Sequence, residues 1–96
     1  MSKVIKSTKN VTYDGYNINI YDYYDSEEYL LTILLPENQR FSLLTSVQIF
    51  PRRVVGTLTE TERQIRQRNE NIRAEYEYNK VMKELIHTYR QYLLNG

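Results

Sequence analysis

From Tyr16 to Tyr23 the side chains alternate, so that in an extended chain Tyr16, Ile18, Ile20 and Asp22 share one side and Asn17, Asn19, Tyr21 and Tyr23 the other. The isoleucines mark the side turned to a core. The pair Asp14-Gly15 precedes this run and follows a second alternating segment, Val4 to Tyr13. Glycine takes positive φ freely and aspartate tolerates it, so the pair predicts a type I′ hairpin. Tyr29 to Leu35 is almost continuously apolar, which predicts a central strand covered on both faces, or on one face plus a subunit contact. Pro36-Glu37-Asn38-Gln39 supplies turn chemistry. Arg40 to Phe50 then reads as a further strand ended by Pro51, and Val54-Val55 as a short edge strand.

After Gly56 the pattern changes period. Thr59-Glu60-Thr61-Glu62 has the form of a capping box, and no glycine or proline interrupts the chain from there to Leu94. Thirty-five helical residues would reach roughly 50 Å, more than a sheet built from residues 3–56 can cover. At 100° per residue Tyr78, Val81, Met82, Leu85, Ile86, Tyr89, Tyr92 and Leu93 fall in one arc, which assigns the second half of the helix to the core. In residues 60–77 the large apolar positions are Ile65, Ile72 and Tyr76, and they point elsewhere. Two arrangements follow: a break near Asn69-Glu70-Asn71, or a projecting arm over 60–77 that meets a different partner. Ile65, Ile72 and Tyr76 are therefore the expected self-association surface of a homodimer. The spacing by sevens of Ile65, Ile72, Asn79, Ile86 and Leu93, with a polar Asn in the column, points the same way.

The expected fold class is α+β, in one domain over residues 1–96. An antiparallel sheet of four or five strands would pack against a long or broken C-terminal helix. A chain of 96 residues buries roughly 60–65% of its unfolded surface, so one core is expected. With no cysteine and one histidine, a disulfide scaffold and the usual zinc spacings are excluded. MSKVIKSTKN lacks the apolar run of a secretory signal, and Tyr29–Leu35 is far short of the roughly 20 residues that span a bilayer. A cytoplasmic protein without membrane contact is expected, in the host cytoplasm if viral.

Charge is divided along the chain. Residues 1–50 hold four basic and six acidic side chains, and residues 51–96 nine and six, so the front is acidic and the back basic. Usage rich in Asn, Ile, Tyr and Lys, with Ala74 the one alanine, fits an AT-rich genome such as that of a phage, a virus or a mobile element.

No residue pattern points to catalysis, to a cofactor or to a small-molecule substrate. His87 projects away from the Leu85–Ile86 face, no nucleophile elbow or phosphate-cradling glycine loop occurs, and the carboxylates from Asp22 to Glu28 lack the glycine-turned loop of a calcium site. The expected function is binding of another macromolecule by a non-enzymatic accessory protein, for instance an inhibitor of a host nucleic-acid-handling complex. Tyr21, Asp22, Tyr23, Asp25, Glu27 and Glu28 would form the surface, tyrosine for contact area and the carboxylates to attract a basic partner. The alternative is direct nucleic-acid binding through Arg52, Arg53, Arg63, Arg66 and Arg73, since the guanidinium fork suits phosphate. A third reading is a structural subunit of a larger assembly.

Overall fold

The computed structural model describes residues 4–96. Lys3, where the sequence reading begins the sheet, lies outside the described residues. Four strands, β1 (Ile5–Tyr13), β2 (Tyr16–Tyr23), β3 (Tyr29–Leu34) and β4 (Arg40–Thr45), are followed by a single helix, α1 (Glu60–Asn95). Each strand pairs antiparallel with the next in sequence, giving the order β1-β2-β3-β4. The fold is α+β.

Both tight connections are left-handed. Asp14 and Gly15 have φ of 50° and 82°, as a type I′ turn requires. Glu37 and Asn38 have φ of 61° and 60° and join β3 to β4. The ladder ends at Thr45, not at Phe50, and Val54 and Val55 form no strand. Residues 46–58 instead run without a strand partner beside the first half of α1.

Register fixes two faces. Tyr16, Ile18 and Ile20 of β2, Tyr29, Leu31 and Ile33 of β3, and Phe41 and Leu43 of β4 point towards α1, which answers with Val81, Met82 and Leu85. Tyrosine rings close the rim of this core by edge contacts, Tyr13 on Tyr78 at 6.1 Å and Tyr16 on Tyr89 at 6.0 Å between centroids. Burial raises the hydroxyl pKa of both Tyr29 and Tyr78 above its usual value. The other face of the sheet has no helix over it, so β3 is covered on one side only.

The helix is continuous. The Thr59 side chain accepts from the Glu62 backbone N–H at 3.2 Å, and no break occurs at Asn69-Glu70-Asn71. Its inward side is one straight line from Gln67, Glu70 and Ala74 to Val81 and Leu85. The first half of that line is polar because its partner is bare backbone. Residues 48–56 have no neighbouring strand, so their amide and carbonyl groups need side-chain partners. Glu70 Oε2 accepts from Arg52 N (2.8 Å), Gln67 Oε1 accepts from Val54 N (2.9 Å), and Gln67 Nε2 donates to Arg52 O (3.0 Å). Arg73 Nη1 donates to Gln48 O (2.9 Å) and Arg63 Nη2 to Gly56 O (3.2 Å). Residues 60–77 are thus docked along their own chain and do not project as an arm. At the far end Tyr92 still meets Phe41 of β4, at 5.4 Å between ring centroids, but Tyr92 and Leu93, expected in the core, sit at its rim and are 60% and 57% exposed.

Candidate interaction surfaces

At the centre of the uncovered sheet face two cross-strand rows run over all four strands. Thr8, Tyr21, Leu30 and Leu44 stand opposite one another across the four strands, and Asn10, Asn19, Thr32 and Ser42 form the next row. Hydrogen bonds fix the polar row: Asn10 Nδ2 donates to Asn17 Oδ1 (2.7 Å) and to Asn19 Oδ1 (2.8 Å), Asn19 Nδ2 to the Tyr21 hydroxyl (3.1 Å), and the Thr32 and Ser42 hydroxyls lie 2.9 Å apart. Beside it, Ile5, Tyr21, Tyr23 and Leu30 border a shallow, mainly apolar groove closed by Arg40. Among the described residues that the register places on this face, Arg40 is the one charged side chain.

The expected tyrosine-acid surface is divided by this geometry. Tyr21 and Tyr23 belong to the open face. Asp22 points to the other side, where Asp22, Tyr23 and Glu27 line a polar cleft with Lys6, Gln48 and Arg52. Asp25 and Glu27 are exposed in the β2–β3 connection, and Glu28 is half-buried, its backbone N–H donating to Ser26 Oγ at 3.0 Å. The acidic front and the basic back, far apart in sequence, therefore meet at Arg52. Leu30 and Leu44 were hidden from sequence reading by the neighbouring core leucines of β3 and β4.

The arginine set does not form one surface either. Arg63 and Arg73 are engaged with the 48–56 backbone, and Arg73 also donates to Glu70 through Nε (2.9 Å) and Nη2 (2.8 Å). This fork, with the Arg52 backbone N–H, holds the Glu70 carboxyl at about 2, below its ordinary 4.5. Arg53 and Arg66 are exposed.

Ile65, Ile72 and Tyr76 lie on the side of α1 turned away from the sheet and are 53%, 59% and 65% exposed. Asn79, in the same column, is committed inside the chain: its Oδ1 accepts from the Tyr13 hydroxyl at 2.9 Å and its Nδ2 donates to Glu75 O at 2.9 Å. Further along this side Lys83, His87 and Arg90 border a depression beneath the Tyr13–Asp14 turn. Arg90 reaches Asp14 at 3.7 Å.

Among the described residues no group of three or more potential metal ligands is clustered, and no helix is long and apolar enough to cross a membrane. No protein-family model matches the chain, and neither does a curated protein or a solved structure.

Proposed function

We propose that this chain is a non-enzymatic binding protein whose partner is another protein, docked on the uncovered face of the sheet. One observation carries the reading: a four-stranded face left without a covering layer holds, among the described residues, a single charge, Arg40, and presents Tyr21, Tyr23, Leu30 and Leu44 together. A face kept wet for solubility alone is normally charged. Cores of protein interfaces are instead depleted in charge and enriched in tyrosine. The asparagine ladder and the Thr32–Ser42 contact hold the polar side chains in place before binding, which lowers the ordering cost of association.

Direct nucleic-acid binding through Arg52, Arg53, Arg63, Arg66 and Arg73 has less behind it, because Arg63 and Arg73 already bond the chain's own backbone. The two readings separate in affinity capture from the native host, run with and without nuclease. A partner that survives nuclease and is lost with Leu44→Lys, while that variant melts like the parent, is the expected result. Retention that depends on nucleic acid, or capture indifferent to Leu44, Tyr21 and Tyr23, would refute the sheet-face reading.

A further inference from the structure

Ile65, Ile72 and Tyr76 are more than half exposed on a helix whose opposite side is fully occupied by the sheet and by residues 48–56. At 100° per residue all three lie within about 20° of Ile65, so they form one narrow stripe. Its two borders differ. Glu62 and Lys80 lie on one border, each about 60° from the stripe, and Arg68 and Glu75 lie on the other. Among the described residues none of these four side chains takes part in an ion pair.

We propose that this stripe is the contact surface for a second copy of the chain, paired antiparallel about a two-fold axis near Ile72. In an isologous contact, residue i meets j and residue j meets i, so the numbers of facing residues have a constant sum. The sequence supplies that sum four times over. Ile65 with Tyr76 gives 141, Glu62 with Lys80 gives 142, Arg68 with Glu75 gives 143, and Ile72 with itself gives 144. These values agree within a single turn of helix. In an antiparallel pair each border meets the same border of the partner, so Glu62 faces Lys80 and Arg68 faces Glu75, each twice by symmetry. Both apolar centres are covered at the same time.

Charge also selects against the parallel arrangement. Beyond Tyr76 the stripe continues as Lys83, His87 and Arg90, and Glu84 lies about 100° away from it. A parallel pair would set these cations against their own copies, a repulsion that disfavours that mode. The antiparallel pair overlaps the apolar halves, over roughly 27 Å from position 62 to position 80, and leaves the basic halves outside. The contact lies on the opposite side of the molecule from the open sheet face, so it stands whether or not that face binds a protein.

Sedimentation equilibrium of the full chain tests the pairing. A dimer is expected, with Ile72→Glu weakening it by at least about tenfold and Glu62→Lys by a smaller factor. The double exchange Glu62→Lys with Lys80→Glu should return affinity to near that of the parent. Because the chain has no cysteine, register can be read by cross-linking. A mixture of Ile65→Cys and Tyr76→Cys chains should join to each other, and Ile72→Cys chains to themselves. A chain that stays monomeric at millimolar concentration overturns the proposal. So does a double exchange as weak as the single one, or Ile65→Cys chains that join one another in preference to Tyr76→Cys. The substituted positions are exposed, and an unchanged far-ultraviolet circular dichroism spectrum identifies a loss of association as such.

Discussion

The Val54 backbone N–H donates to Gln67 Oε1 at 2.9 Å, and the Nε2 of that same amide donates back to Arg52 O at 3.0 Å. Gln67 thus does for residues 52–54 what the backbone of a neighbouring strand would do. Gln67→Ala should lower stability by about 1–2 kcal/mol, the loss of two such bonds. The sharper readout is local. Hydrogen exchange at the Val54 amide should accelerate while β2 and β3 amides stay protected, and unchanged exchange at Val54 would show that the segment is held by something else.

Acid should loosen the same region. The Glu70 carboxyl sits at about 2 in the folded chain, against an ordinary 4.5, because Arg73 and the Arg52 N–H bond its charged form. A depressed folded value means a contribution fully present above pH 4.5 and lost as pH falls towards 2. Melting temperature should drop over that window, and Glu70→Gln should flatten this part of the profile. A variant profile parallel to that of the parent would remove Glu70 as the titrating group.

The two ends of the apolar arc of α1 should behave differently. Leu85 is fully buried against the sheet, and Leu85→Ala should cost about 2–5 kcal/mol through lost burial and the cavity left behind. Leu93 is 57% exposed at the rim beside Leu35 and Phe41, so Leu93→Ala should cost clearly less, about 1 kcal/mol or below. Chemical denaturation measures both, and equal losses would contradict the docking of Val81–Ile86 as the main helix–sheet contact.

The β3–β4 turn is open to improvement. Glu37 and Asn38 both hold left-handed φ, which costs a glutamate roughly 1–2 kcal/mol and an asparagine or glycine much less. Replacing the pair by Asn-Gly, the preferred type I′ sequence, should raise stability by about 1–2 kcal/mol in a denaturant titration. No gain would mean that the loop adopts another turn in solution.

The strands were legible because each feature that builds them is local: alternation in Tyr16–Tyr23, Asp-Gly at the turn, and continuous apolar residues in Tyr29–Leu35. The inward face of the first half of α1 was not. Apolar periodicity finds a helix face that meets side chains, whereas Gln67, Glu70 and Arg73 meet backbone, and polar letters at that spacing read as solvent. That is why Ile65, Ile72 and Tyr76 looked like the start of a second helix axis when they are the outer side of the same one. The open sheet face was half legible. Tyr21 and Tyr23 show in the alternation of β2, but Leu30 and Leu44 are paired to them only through the register of β3 and β4.

The order of the strands has a consequence for synthesis. Every strand partner lies next along the chain, so the meander can zip as it emerges from the ribosome. Its inner face, however, waits for Val81, Met82 and Leu85, the first of them 48 residues after Ile33. At about 5–20 residues per second that interval is roughly 2–10 s, during which Ile18, Ile20, Leu31 and Ile33 are open to chaperones and to neighbouring nascent chains.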